Sequence, residues 1–103
     1  MYTPDNWIIF YTKELDLYKI LAGWSGGYLG GDAWRINSGI VSIEEKGDHY
    51  LIYGNSGSCY KCYKDRYKLR PNNGYIWERI NNELGNKVKM IPADTNFLEL
   101  KFN

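Results

Sequence analysis

After Pro4, the residues Trp7-Ile-Ile-Phe-Tyr-Thr12 form an unbroken apolar, β-prone run. They predict a first strand partly buried on both faces. Glu14 to Leu21 is ambiguous. Leu17, Ile20 and Leu21 fit a helical stripe, yet the segment runs straight into Gly23 and also suits a short strand. Arg35 to Glu45 places Ile36, Ile40, Val41 and Ile43 in a strand pattern, with a bend or bulge expected at Ser38-Gly39. Lys46-Gly47-Asp48 reads as a turn and His49 to Tyr53 as the return strand, so residues 40–53 form a hairpin. Ser58 to Lys64 adds a third strand after a second turn, Asn55-Ser56-Gly57. The tripeptide Asn-Ser-Gly occurs at 37–39 and again at 55–57, and two strands of similar length bring both copies to one end of a sheet.

Pro71-Asn-Asn-Gly74 reads as a break. Tyr75 to Leu84 then sets Ile76, Trp77, Ile80 and Leu84 on one helical face, with Gly85 placed to end the helix. Lys87 to Ile91 and Asn96 to Phe102 read as closing strands. The sum is an α+β fold: a twisted antiparallel sheet or open small barrel of five or six strands, with one amphipathic helix at about 75–84. With 103 residues, the chain is expected to form a single domain, 1–103.

Composition adds a bias toward recognition. Aromatic residues make up 17% of the chain, including ten tyrosines and four tryptophans, more than a small core needs. Net charge is +1, but residues 1–57 carry four basic and seven acidic side chains, whereas 58–103 carry nine and five. Nothing resembles a signal peptide, and no stretch approaches the ~18 apolar residues that span a bilayer. Two cysteines without such a signal suit a reducing compartment, so a cytoplasmic protein with free thiols and no membrane partner is expected.

Gly23 to Gly39 (GWSGGYLGGDAWRINSG) is the candidate binding stretch, with five glycines between 23 and 31. Ordering so many is costly, and close approach of main chain to a ligand is one reason to do it. It lacks the Gly-Lys-Ser/Thr ending of a phosphate loop and the spacing of a dinucleotide fingerprint. Amides of Ser25, Gly26 and Gly27, with Arg35, suit a phosphate. The rings of Trp24, Tyr28 and Trp34 suit a base. Asp32 suits a ribose hydroxyl or exocyclic amine, and Ser38, Ser56 and Ser58 offer hydroxyls from the two Asn-Ser-Gly turns. The competing reading is two tight turns with both indoles in the core.

Three other features yield less. Cys59-Tyr-Lys-Cys62 is a CxxC, but residues three apart on a strand face opposite ways, and only His49 could join them on a metal. Tyr60 to Arg70 carries Lys61, Lys64, Arg66, Lys68 and Arg70 interleaved with tyrosines, which suits either single-stranded nucleic acid or a solvated edge strand. No nucleophile elbow is legible, and the carboxylates of Glu44-Glu45, adjacent on a strand, face opposite ways, so neither an enzyme nor a cofactor or metal is expected.

Small size, a composition rich in Tyr, Asn, Lys and Ile, and the lack of enzyme motifs resemble bacteriophage accessory proteins. Gly23-Trp24-Ser25-Gly26 resembles the Gly-Trp-x-Gly stretch of the Thoeris-inhibiting phage sponges that sequester cyclic ADP-ribose isomers, a likeness of four residues. The resemblance implies a non-enzymatic anti-defence protein that captures a nucleotide-derived signal, as a homo-oligomer in the host cytoplasm. The alternatives are an inhibitor docking on a host defence protein or nuclease, and a binder of single-stranded nucleic acid.

Overall fold

Strand β1 (Asn6–Thr12) is the hub, and its first five residues are buried. In the computed structural model, which describes residues 1–26 and 31–102, it is paired on both sides. A turn at 13–16, with Asp16 at φ 52°, returns the chain as β2 (Leu17–Trp24), in register from Asn6 opposite Gly23 to Thr12 opposite Leu17. The ambiguous segment is therefore a turn followed by a strand. Cross-strand pairing over seven residues outweighs its weak helical stripe. Strand β3 (Ala33–Ile36) extends β2, and β7 (Val88–Met90) lies on the other side of β1. A second antiparallel sheet contains β4 (Ile40–Lys46), β5 (His49–Gly54) and β6 (Cys59–Tyr63). The expected α+β class holds, as seven strands in two sheets with one helix among the described residues. The strands do not close into a barrel.

Two apolar layers hold these parts together. Trp7, Ile9, Ile20 and Ala22 face Ile40, Ile52, Tyr60 and Cys62 across the gap between the sheets. Ile8, Phe10 and Leu21, on the opposite face, meet Ile76 of the helix and Val88. The four-stranded sheet is thus the middle layer, which is why β1 reads as apolar at every position rather than alternating.

The helix α1 spans Pro71–Leu84, four residues longer than expected. Pro71 starts it instead of breaking the chain, because the first helical position needs no backbone N–H. Asn73 closes the end, its Oδ1 accepting from Arg70 N at 2.9 Å. Gly85, at φ 56°, ends it as expected. The expected strand at 96–102 is instead a 3-10 turn at Phe97–Glu99 that inserts Phe97 into the core. The irregularity in β4 falls between Ile40 and Ser42, just beyond the expected site.

Asn6, Asn72 and Asn73 are buried and satisfy one another. Asn6 Nδ2 donates to Asn72 Oδ1 and Asn73 Oδ1, each at 2.9 Å, and Asn72 Nδ2 returns a bond to Asn6 Oδ1 at 2.7 Å. Asn72 Nδ2 also reaches Ser25 Oγ at 2.8 Å. This network locks the start of α1 against β1 and β2.

Tyr67 fastens the point where β7 leaves β1. Its hydroxyl accepts from Ile9 N at 3.1 Å and donates to Ile91 O. Burial pushes its pKa up to about 12, partly offset by the Ile9 backbone bond. The unfolded phenol titrates near 10. The stability that comes from keeping it neutral is therefore whole below about pH 10 and is lost as pH rises from 10 to 12. Tyr67→Phe is expected to lower unfolding free energy by ~2 kcal/mol at pH 7. It is also expected to flatten the alkaline fall, and urea titrations at pH 8 to 12 compare the two slopes. Equal slopes would remove Tyr67 from this role.

Candidate functional site

The register of β2 against β3 decides what the glycine stretch can present. Ala22 pairs with Arg35 and Trp24 with Ala33, so Trp24 and Arg35 lie on the face toward the second sheet. Gly23 pairs with Trp34 and Leu21 with Ile36, so Trp34 lies on the helix face. The two indoles are on opposite sides of one sheet and cannot sandwich a single base. The described chain supports neither both indoles buried nor both free. Trp24 is half-buried, its Nε1 donating to Thr3 O at 3.0 Å, and Trp34 is 44% exposed.

Trp24 and Arg35 do meet, in a cluster the sequence did not reveal. Tyr2 joins the edge of β6 as a parallel bridge to Tyr60, with Tyr2 N donating to Cys59 O at 2.9 Å and Lys61 N to Tyr2 O at 2.8 Å. This stacks the Tyr2 ring on Tyr60 at 5.1 Å between centroids and sets it edge-on to Trp24 at 6.3 Å. The Arg35 guanidinium lies over the Tyr2 ring, 4.6 Å from its centre. Burial raises the pKa of the Tyr60 phenol. Arg35, which approaches it without a hydrogen bond of normal geometry, partly offsets the rise. Arg35 has no carboxylate partner among the described residues. The cluster is a guanidinium held over the Tyr2 ring, its outer side in solvent. The period-two alternation of β6 marks Tyr60 as inward-facing, but nothing in the sequence placed Tyr2 beside it.

The remaining candidate residues scatter. Ser25 is pinned at the end of β2, its N donating to Asp5 Oδ2 at 2.8 Å. Gly26 turns at φ 65°, and Asp32 is exposed beyond it. Gly27 and Tyr28 lie outside the described residues. The two Asn-Ser-Gly turns do meet, as expected. Ser38 Oγ donates to Asn55 Oδ1, and Asn55 N donates to Gly39 O at 2.8 Å. They sit past the far end of β3 from Trp24, beyond the ~10 Å rise of that strand from Ala33 to Ile36. Ser56 is exposed in its turn, while the Ser58 hydroxyl is buried without a hydrogen-bond partner.

The basic tract forms no continuous stripe. Lys64 pairs with Glu45 at 2.7 Å, Arg66 lies 3.8 Å from Asp65, and Lys61 rests over the Tyr63 ring. Lys68 and Arg70 are exposed, Arg70 at the helix start. Cys62 points inward with its thiol pKa well raised by burial, while Cys59 sits on the opposite face, also raised by burial. His49 is held by Asp48 Oδ1 at 2.7 Å.

Comparison with protein-family models, curated proteins and solved structures finds no match. The geometry of the site alone therefore carries the functional argument.

Proposed function

We propose that the protein is a non-enzymatic binder of a nucleotide-derived signalling molecule, taken at the Arg35 face. The observation that carries this reading is the Arg35 guanidinium, laid on the Tyr2 ring beside Trp24 with no carboxylate to neutralise it. A planar cation on a planar ring attracts a phosphate at its edge and a base against the neighbouring rings. One open face of half-exposed rings does not enclose a nucleotide by itself, so this reading takes the second wall from a second copy of the chain. Phage origin and an anti-defence role belong to the same proposal and rest on the size and composition of the chain and the four-residue likeness at 23–26.

Calorimetric titration with cyclic ADP-ribose tests the assignment. Arg35→Met is expected to weaken binding ten- to a hundredfold, the worth of a charge-assisted contact. The double change Lys64→Ala with Arg66→Ala is expected to leave it unchanged. The reverse pattern, with affinity falling steeply with salt, would move the function to single-stranded nucleic acid.

A second reading, docking on a host protein, has one observation of its own. Trp34 is exposed on an edge strand, and an exposed indole is a common anchor of protein interfaces.

A further inference from the structure

The three-stranded sheet has an inward and an outward face. Tyr50, Ile52, Tyr60 and Cys62 point inward, into the layer between the sheets. The residues that alternate with them point outward, and the registers of β4, β5 and β6 set them in rows across the strands. The central row is Glu44, Leu51, Lys61, and the row beside it is Lys46, His49, Tyr63. None of these six belongs to either apolar layer of the described chain. The charges in the central row are ordered: an acid on β4, an apolar residue on β5 and a cation on β6. Lys61 has no ion-pair partner among the described residues and rests over the Tyr63 ring at 5.2 Å. Glu44 lies 3.4 Å from Lys46, both about half exposed, a pairing that holds little in water.

A surface with acid and cation on opposite sides of an apolar centre, about 10 Å apart by strand spacing, is complementary to itself. We propose that the outward face of the three-stranded sheet is where two copies of this chain dimerise, about a two-fold axis that runs along β5. Glu44 then meets the partner's Lys61, Lys46 meets the partner's Tyr63, and Leu51 meets the partner's Leu51. Each charged contact occurs twice, because the axis repeats it. The strands of the two sheets run in the same direction, in the aligned mode of face-to-face packing. A polyanion suits this face poorly, since Glu44 and the exposed Asp48 at the rim repel it. The Arg35 cluster is built on the inward-facing Tyr60, so this contact leaves it open and does not depend on the nucleotide reading.

Sedimentation equilibrium of the full chain, up to about 1 mM, tests it. The parent is expected to dimerise with a Kd on the order of 100 μM, because the face is smaller than the roughly 20–30 residues a side of a standard interface. Glu44→Lys and Lys61→Glu are each expected to weaken the dimer at least tenfold, since one change sets like charges against each other twice. An equimolar mixture of these two variants is expected to dimerise within about threefold of the parent, because each then offers the charge that the other meets. Near-ultraviolet circular dichroism checks that both are folded. Leu51→Asp removes the centre of the contact and repeats the test if a reversed variant does not fold. A parent that stays monomeric at about 1 mM, unchanged dimerisation in the variants, or a mixture that stays monomeric overturns the proposal. So does loss of the dimer in Arg35→Met, which would place the contact on the other face.

Discussion

Gly23→Ala is expected to lower the unfolding free energy by ~3 kcal/mol, whereas Gly31→Ala leaves it within about 0.5 kcal/mol. The two glycines belong to the same run, so the contrast isolates the cause. A Cβ on Gly23 stands 2.2 Å from Asn72 Oδ1 and 2.6 Å from Asn72 Cγ, inside any contact a real methyl tolerates. Asn72 cannot retreat freely, because it is buried and holds Asn6 and Ser25. Displacing it breaks bonds among buried amides, and each orphaned group costs about 1–3 kcal/mol. At Gly31 a Cβ meets nothing within 4 Å among the described residues, and the backbone is not in the left-handed region. Urea unfolding of the three proteins reads the difference directly. If Gly23→Ala proved as stable as the parent, the asparagine network would not be packed as described. Asn72→Ala in the Gly23→Ala background offers a further check, since removing the obstructing amide should make the two losses less than additive.

Trp7→Ala should destabilise the chain by ~4 kcal/mol, enough to leave a domain of this size marginal at 37 °C. Trp7 is fully buried in the layer between the sheets. Its ring meets Tyr67 at 4.8 Å, Phe97 at 5.7 Å and Tyr50 at 6.1 Å, all edge-on. Its Nε1 donates to Tyr63 O at 2.8 Å, tying β1 to the end of β6. One side chain thus joins the hub strand, the second sheet and the turn at Phe97–Glu99. Trp7→Phe keeps much of the volume but orphans the Tyr63 carbonyl, so a loss of about 2 kcal/mol is expected. Thermal unfolding by near-ultraviolet circular dichroism separates the three proteins. A Trp7→Ala loss below 1 kcal/mol would contradict the packing.

What the sequence disclosed follows from which signals are local. The uniform apolarity of Trp7 to Phe10 pointed to a strand covered on both faces, and the spacing of Ile76, Trp77, Ile80 and Leu84 pointed to a helix. The repeated Asn-Ser-Gly rightly brought two turns together, because a hairpin of known length lay between them. The start of α1 was misread because Pro, Asn and Gly usually mark turns, whereas Asn72 and Asn73 are buried partners of Asn6, 66 and 67 residues away. The glycine run invited one explanation for five residues. Among the described ones, Gly23 makes room for an asparagine, Gly26 makes a left-handed turn and Gly31 stands in open space. The separation of Trp24 from Trp34 depended on pairing between β2 and β3, which was out of reach while residues 14–21 remained ambiguous. Tyr2 joins the Arg35 cluster only through the fold, by pairing beside a strand 58 residues later.

The reading of Arg35 as the anchor of a nucleotide site is tested most directly by the melting temperature of the protein across a panel of cyclic nucleotides and cyclic ADP-ribose. A member present at a hundred times its dissociation constant stabilises the fold by ~2.7 kcal/mol, so a rise of about 10 °C is expected for the parent. At the same ligand concentration Arg35→Met is expected to show a much smaller rise. A flat panel, or a rise that survives in Arg35→Met, would contradict the account.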